Sequence, residues 1–213
     1  MVAAALVGAD HRILIASRPP GSHMAGGWEF PGGKLISGEA PLQGLARELA
    51  EEIGVQLGAG PHRPIGKVSH SYAERDVLIE AWLVTDFLGS PQALEGQELR
   101  WCLKSELAEV PLLPADAPLI DTLQLPAVIE QLSGCGCRIR GFHECVPGTG
   151  VRCASPDEAR SAGAAGARFL VMDAELDDAV LRHLCAAVLP PVFAKGISLE
   201  AAWRAGASGI HRL

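Results

Sequence analysis

The stretch that most constrains the fold is FPGGKLISGEAPLQGLARELAEEIGV, residues 30–55, in which a Gly-rich loop leads into a helical pattern. Residues 39–53 are rich in Leu, Ala, Glu and Arg, and Gly54 stands where a helix would end. At about 100° per residue, the apolar positions of this segment form one stripe. The stripe consists of Leu42, Leu45, Ala46, Leu49 and Ile53. The sequence therefore predicts an amphipathic helix that packs on a core.

The same helix carries three glutamates, Glu48, Glu51 and Glu52, beside the apolar stripe. Like charges at this spacing repel by roughly 0.2–0.5 kcal/mol per pair on an exposed helix. Two interpretations are open: a solvated charged face, or a site for a hard divalent cation, which prefers carboxylate and carbonyl oxygens. The glycines of the preceding PGGK loop favour the cation, because their backbone can approach a ligand without a Cβ in the way.

Size and charge limit the class of protein. With 213 residues, 48 % of them hydrophobic, the chain can build one core and a second, smaller one. A net charge of −7 offers no basic field for a nucleic-acid backbone, so polymeric DNA or RNA is not an expected partner. The apolar run MVAAALVGA has no basic leader and is too short to span a membrane. It predicts a strand in a cytoplasmic protein without membrane contact.

The pattern of elements predicts two parts. Two β-prone runs, residues 2–8 and 11–17, predict an antiparallel hairpin at the start of the fold. The apolar periodicity stops at residues 129–149, which are interpreted as a linker between an N-terminal domain, residues 1–128, and a C-terminal segment, residues 150–213. In that segment short strands alternate with Ala-rich helices, which is the βαβ signature of a parallel sheet.

The spacing Gly33, five residues, Glu39, seven residues, Arg47-Glu48-Leu49-Ala50-Glu51-Glu52, one residue, Gly54-Val55 matches the Nudix box at every fixed position. Together with RPPGSHMAGGWEFPGGK, EGQELRW and LLPADAP, it makes roughly residues 1–125 resemble the bacterial MutT type of Nudix hydrolase. The resemblance implies an α+β fold with a mixed β-sheet sandwiched between helices. It also implies Mg²⁺ (or Mn²⁺) as cofactor and hydrolysis of a nucleoside triphosphate, 8-oxo-dGTP, to the monophosphate and pyrophosphate in nucleotide-pool sanitation.

The resemblance also assigns the metal ligands. They would be the carbonyl of Gly33 and the carboxylates of Glu48, Glu51, Glu52 and Glu95. This assignment agrees with the chemistry, since attack on phosphorus needs charge neutralisation and an activated water. Glu48 and Glu95 remain equal candidates for the general base.

Other residues of the box are expected to organise the site or to contact the substrate. Arg47 belongs to the catalytic set with Glu48, Glu52 and Glu95, and pairing with a carboxylate to brace loop and helix is favoured over substrate contact. Glu39 is expected to fix the loop and Gly54 to end the helix. By the same resemblance, Arg18 and His23 occupy positions that touch the phosphates.

Base recognition is assigned to two residues. Phe30 is interpreted either as the apolar surface against which a purine packs or as a core residue. Asp116 stands where MutT-like proteins present an Asn, which is a departure, because an ionised Asp only accepts hydrogen bonds. The hydrogen-bond pattern must therefore change or the carboxyl must be protonated. The alternative for Asp116 is a residue that satisfies backbone N–H groups at a helix N-terminus.

Residues 150–213 resemble the later βα units of thiamine monophosphate synthase and its TenI-like relatives, a TIM-barrel family. This length holds at most three or four βα units of the eight in a closed barrel, so synthase activity is not expected. A partial barrel that packs on the first domain or forms a homodimer surface is the preferred interpretation, because exposed sheet edges must be covered.

Two other functions stay open. The same chemistry could act on another nucleotide, such as CTP or a nucleoside diphosphate derivative, because the box specifies the diphosphate and not the base. A non-catalytic Nudix domain could instead sense a metabolite. The intact set of carboxylates argues against the sensor, since binding alone does not need a charge cluster that repels itself.

Overall fold

The chain forms two compact units in a computed structural model that describes residues 1–130, 139–145 and 147–212. The first unit comprises residues 1–62 and 68–123, and the second comprises residues 63–67 and 124–213. Among the described residues, no helix has the length and apolar character needed to span a membrane.

The first unit contains strands of two to nine residues and two α-helices. Its strands are β1 (Val2–Leu6), β2 (Ile13–Ser17), β3 (Trp28–Glu29), β4 (Gln56–Leu57), β5 (Arg63–Ser71, which starts in the second unit's residues), β6 (Asp76–Val84), β7 (Phe87–Leu88) and β8 (Leu99–Cys102). Its helices are α1 (Pro41–Ile53) and α2 (Ala117–Leu123). The sheets have the orders β1-β6-β5, β3-β2-β8 and β4-β7. Pairing is mixed, because β1 runs parallel to β6 while β2 runs antiparallel to β3 and β8.

The predicted opening hairpin forms only at its turn, where the N–H of Gly8 donates to the carbonyl of Arg12 at 2.9 Å, and the two strands do not pair along their length. Strand β1 pairs with β6 along its whole length, and its only ladder contact toward β2 is the isolated bridge between Val7 and Ile13. All five residues of β1 are buried. A strand that is apolar on both faces belongs inside the fold, between covering layers, which explains why β1 pairs with a long strand rather than with its neighbour in the sequence.

Helix α1 forms where the sequence predicts it, starting at Pro41 and ending before Gly54. Gly54 has φ 69°, the left-handed conformation in which glycine ends helices. The buried face differs slightly from the predicted stripe, because Leu42 is 42 % exposed. Gly44 is buried instead. It packs so closely on Leu35 that a Cβ at position 44 would lie only 2.3 Å from the Leu35 side chain.

The second unit is built on one parallel sheet. Its strands are β9 (Val128–Ile129), β10 (Ile139–Gly141), β11 (Gly150–Cys153), β12 (Phe169–Glu175), β13 (Val192–Lys195) and β14 (Gly209–His211), and its helices are α3 (Pro156–Ala164), α4 (Asp178–Ala187) and α5 (Leu199–Arg204). The order is β10-β11-β12-β13-β14-β9, with all pairs parallel. The first strand of this unit, β9, therefore pairs with the last, β14. Among the described residues the sheet does not close into a barrel, because β9 and β10 form its two edges and do not pair with each other.

The alternation of strands and helices agrees with the predicted βαβ pattern. Ser155, Asp177 and Ser198 cap the three helices, each accepting a hydrogen bond from a backbone N–H of the first turn. The region interpreted as a linker, residues 129–149, contains β10 and the end of β9. Residues 131–138 and Val146 of that region lie outside the described residues.

The two faces of this sheet carry separate clusters. The helices pack on one face, through residues such as Ala159, Leu184 and Ala202. The other face carries Phe169 and Phe193, whose ring centroids are 5.7 Å apart in an edge-to-face contact.

We expect Phe193→Ala to destabilise the second unit by about 3–5 kcal/mol, because the ring is fully buried and its removal leaves a cavity. Chemical denaturation would measure the free energy of unfolding. Leu189→Ala is the control, since Leu189 is 44 % exposed and its truncation should cost little. Equal effects of the two changes would contradict the assignment of Phe193 to the core.

Candidate active site

The glycine loop before α1 lies directly on β1. The backbone N–H of Val2 donates to the carbonyl of Gly33 at 2.9 Å, and that of Ala4 donates to the carbonyl of Pro31 at 2.8 Å. Gly32 has φ 146°, and a Cβ there would lie 2.2 Å from the carbonyl oxygen of Val2. Only glycine allows this close approach of two backbones.

Gly33 also lies against the carboxylate of Glu48. A Cβ at Gly33 would be 2.2 Å from a carboxylate oxygen of Glu48. The loop backbone and the first glutamate of the helix are thus adjacent, while the carbonyl of Gly33 accepts the hydrogen bond from Val2.

Arg47 joins the loop to the helix. Its guanidinium donates two hydrogen bonds to the carboxylate of Glu39, at 3.0 and 2.9 Å, and one to the carbonyl of Lys34 at 2.9 Å. Its Nη1 donates to Glu48 and Glu51, both at 3.0 Å. Hydrogen bonds from Arg47 and from the N–H of Ile36 lower the pKa of Glu39 to about 2. This geometry holds the turn between loop and helix.

Glu52 is the most perturbed carboxylate of the helix. Burial raises its pKa to about 7, and the negative charges of Glu95, Glu48 and Glu29 add to the rise. The N–H of Gly32 opposes it by donating to Glu52 at 3.1 Å. A cation that binds next to such a buried carboxyl group stabilises its ionised form.

Glu95 lies in an exposed loop that is tied to the end of α1 by Gln97. The side chain of Gln97 accepts from the N–H of Glu95 at 2.8 Å and donates to the carbonyl of Glu52 at 2.8 Å. Gln97 is buried, and sequence reasoning missed it. Its role depends on the distant carbonyl that it contacts, and the string EGQ alone does not reveal this.

The donor set fits a hard divalent cation, because it consists of carboxylate and carbonyl oxygens. The repulsion felt by Glu52 is the field that such a cation would neutralise. As the side chains stand, no group of three His, Cys, Asp or Glu in the described part of the chain is placed to hold a metal. Two of the predicted ligands, Glu48 and Glu51, are instead held in ion pairs by Arg47.

Arg18 and Glu29 form an ion pair next to this cluster. Arg18 Nη1 donates to both carboxylate oxygens of Glu29, at 3.1 and 3.0 Å, and its Nε donates to the carbonyl of His23 at 2.6 Å. Burial raises the pKa of Glu29, while Arg18 opposes the rise. Glu29 was not predicted as a site residue. In this arrangement Arg18 is engaged by Glu29.

Asp116 is buried beside Phe30. Its Oδ1 accepts a hydrogen bond from the N–H of Phe30 at 3.1 Å, so the N–H group that it satisfies belongs to the glycine loop segment and not to helix α2. Burial raises the pKa of Asp116 to about 7, against the opposing hydrogen bond from Phe30. The ring of Phe30 is only 3 % exposed and forms part of the core.

An aromatic group lies near Asp116. The hydroxyl of Tyr72 lies 3.4 Å from the N–H of Ala115, and the ring of Tyr72 makes edge-on contacts with His70 and His23 at centroid distances of 4.5 and 6.0 Å. Tyr72 and His70 were missed by sequence reasoning, because the turn after β5 meets residue 115 only in the folded chain.

We expect the metal-free protein to lose stability as the pH rises from about 4.5 to about 7. Glu52 binds a proton more tightly in the folded protein than in the unfolded one. Its contribution to the free energy of unfolding is therefore fully present below the unfolded pKa and is lost as the pH rises through the folded pKa. Glu52→Gln should reduce this slope and recover about 2–3 kcal/mol at pH 8. Asp116 and Glu29 keep part of the slope, because their pKa values are also raised.

The measurement is the unfolding free energy against pH in a chelator and again with Mg²⁺. Mg²⁺ should stabilise the wild type most above pH 7 and Glu52→Gln much less. The exposed Glu109→Gln is the matched control. An identical slope in all three proteins would contradict the assignment of the burial penalty to Glu52.

In a comparison with known protein families, residues 2–122 match the family described as NUDIX domain. The CTP pyrophosphohydrolase of Escherichia coli (strain K12) is 42 % identical over 120 residues, which is 56 % of this chain and 87 % of the relative. The 8-oxo-dGTP diphosphatase of the same strain is 34 % identical over 116 residues, 54 % of this chain and 88 % of the relative.

Solved structures give the same result. The solution structure of the E. coli ORF135 protein has a TM-score of 0.51 at 41 % identity, covering 57 % of this chain and 85 % of that chain. The MutT NUDIX hydrolase from Burkholderia pseudomallei has a TM-score of 0.52 at 28 % identity, covering 57 % of this chain and 95 % of that chain.

Proposed function

Because the chain belongs to the NUDIX family and is a hydrolase acting on phosphorus anhydrides, we propose that it is a Mg²⁺- or Mn²⁺-dependent nucleoside triphosphate pyrophosphohydrolase with 8-oxo-dGTP as its preferred substrate. The observation that carries the chemistry is the carboxylate cluster around Glu52, pressed against the glycine loop. The role that follows is removal of oxidised dGTP from the nucleotide pool, in the cytoplasm.

The metal would be held by Glu48, Glu51, Glu52, Glu95 and the carbonyl of Gly33. A bound divalent cation neutralises phosphate oxygens and lowers the pKa of water. Glu48 or Glu95 accepts the proton of the attacking water. Arg47 acts as a positioning residue, since its hydrogen bonds to Glu39 and Lys34 fix the loop against the helix.

The base is read by Asp116 in its neutral form. Burial raises the pKa of Asp116 to about 7, so near neutral pH the carboxyl offers one donor and one acceptor, as an Asn would. The corresponding edge of 8-oxoguanine carries the acceptor O6 beside the donor N7–H, whereas guanine carries two acceptors, O6 and N7. Neutral Asp116 therefore complements the oxidised base and leaves one unmatched acceptor pair with guanine.

CTP is the second candidate, because the relative with 42 % identity is named CTP pyrophosphohydrolase. The cytosine edge also places an acceptor, N3, beside a donor, the N4 amino group, so it suits the same neutral carboxyl. A nucleoside diphosphate derivative would engage the same phosphate chemistry, and a non-catalytic sensor would not need the carboxylate cluster.

We expect Glu52→Gln to lower kcat/KM for 8-oxo-dGTP by a factor of at least about 10³, because the metal loses a ligand while the fold keeps a side chain of the same size. Steady-state kinetics with Mg²⁺ on dGTP, 8-oxo-dGTP, CTP and nucleoside diphosphate derivatives would measure the effect. Glu109→Gln should leave the rates unchanged. Full activity of Glu52→Gln would reject the assigned chemistry.

The ratio of kcat/KM for 8-oxo-dGTP to that for dGTP tests the role of Asp116. In this ratio the ionisation of the metal ligands cancels, since both substrates use the same phosphate site. The ratio should fall by about fivefold from pH 7 to pH 8 in the wild type, as Asp116 loses its proton. Asp116→Asn should hold the ratio constant over this range. A wild-type ratio that is independent of pH would disprove reading by the neutral carboxyl.

A further inference from the structure

The loop between β7 and β8 is attached to the carboxyl end of helix α1. The last carbonyl groups of a helix have no partner inside the helix and take donors from elsewhere. Here the N–H of Gln92 donates to the carbonyl of Ile53 at 3.0 Å, and the N–H of Leu94 donates to the carbonyl of Glu52 at 3.1 Å. The path of the loop is therefore set by the end of the helix.

Gln97 adds a side-chain link at the same point. Its side chain is buried, at 7 % exposure. Its Oε1 accepts from the N–H of Glu95 and its Nε2 donates to the carbonyl of Glu52, both at 2.8 Å. The orientation of the amide is determined, because a backbone N–H only donates and a carbonyl only accepts. One planar group thus joins the backbones of two residues that carry proposed metal ligands.

Glu95 is exposed and lies in a tight part of this loop. The next residue, Gly96, has φ 77°, a left-handed conformation that suits glycine. The chain is anchored again at Glu98, whose N–H donates to the hydroxyl of Ser17 at 2.9 Å. Between the anchors at residues 94 and 98, the hydrogen bond to Gln97 holds the backbone of Glu95. Loss of the Gln97 amide would therefore release the residue that carries the carboxylate.

The carboxylates of Glu95 and Glu52 are close enough to interact. Burial is the main cause of the raised pKa of Glu52, and among the charges that add to it the negative charge of Glu95 is the largest. A cation shared by two carboxylates needs both at fixed positions. Loss of a group that orients a metal ligand typically weakens metal binding by about 10–100-fold.

We propose, on the basis of the function proposed above, that Gln97 is a positioning residue of the metal site. Its amide fixes the backbone of Glu95 against the end of α1, so that the carboxylates of Glu95 and Glu52 reach one cation. Gln97 itself contacts neither the metal nor the substrate. Because its effect passes through Glu95, the effect disappears when Glu95 no longer supplies a carboxylate. A purely structural role would not depend on Glu95 in this way.

The test is a double-mutant cycle between Gln97→Met and Glu95→Gln in the full-length protein. Methionine keeps the length of the side chain and removes both hydrogen bonds. Gln97→Asn keeps an amide that is one methylene too short to reach both partners, and it decides the question if Gln97→Met does not fold. Gln92→Met is the matched control, because Gln92 is exposed in the same loop. Chemical denaturation checks that each variant is folded.

The first readout is the Kd of Mn²⁺ for the nucleotide-free protein, measured from the electron paramagnetic resonance signal of free Mn²⁺. We expect this Kd to rise at least about tenfold in Gln97→Met and in Gln97→Asn, and to stay unchanged in Gln92→Met. In the Glu95→Gln background, Gln97→Met should change the Kd by less than about twofold. Hydrogen exchange of the Glu95 amide should accelerate in Gln97→Met, because that amide loses its acceptor.

An unchanged Mn²⁺ affinity in the variants of Gln97 would overturn the positioning role. An equal loss of affinity with and without the Glu95 carboxylate would also overturn it, as would a wild type that binds no Mn²⁺. The second readout is kcat/KM for nucleotide hydrolysis, which should show the same dependence on Glu95. A wild type that binds Mn²⁺ with the predicted coupling but hydrolyses no nucleotide would reject the proposed function and leave the role of Gln97 in metal binding standing.

Discussion

The first unit depends on the guanidinium of Arg47. One planar group with a fixed fork of donors contacts the carboxylates of Glu39, Glu48 and Glu51 and the carbonyl of Lys34. A lysine could not replace it, because a single ammonium cannot reach a helix face and a loop with so many directed bonds. Arg47 also neutralises acidic side chains in the metal-free protein. In the proposed metal-bound form, Glu48 and Glu51 would exchange this partner for the metal, while Glu39 would keep it.

The first unit also buries three carboxyl groups in an environment that disfavours their ionised form. Burial raises the pKa values of Glu29, Glu52 and Asp116, and the charge of Glu29 contributes to the rise at both others. Each of them therefore lowers stability at neutral pH. Such a cost is common where a site must be ready for charge that arrives with its ligand. The negative charge of Glu29 is thus felt both by Glu52 on helix α1 and by Asp116 beside Phe30.

Much of the first unit could be predicted from local pattern. Helix α1 and its end at Gly54 follow from periodicity and from the need for a left-handed residue. The pairing of β1 with β6 was not predictable in this way, because nearness in sequence favoured β2 and only burial on both faces decides the matter. Gln97 and Tyr72 could not be predicted for a similar reason, since their partners Glu52 and Ala115 lie far away in sequence. In the second unit, strands of two or three residues such as β9 and β10 are too short to show any periodicity, so Ile129 and the whole of β10 fall in the segment that the sequence predicts to be a linker.

The pairing of β9 with β14 sets a condition on how the second unit folds. Ile129 pairs with His211, which lies 82 positions further along the chain, and the other strands of the sheet come between them in the sequence. During synthesis the chain emerges from its N-terminal end, so β9 leaves the ribosome long before its neighbour exists. Contacts this distant in sequence form late and slowly. Until β14 is made, the edge of β9 lacks a neighbour and is open to wrong partners.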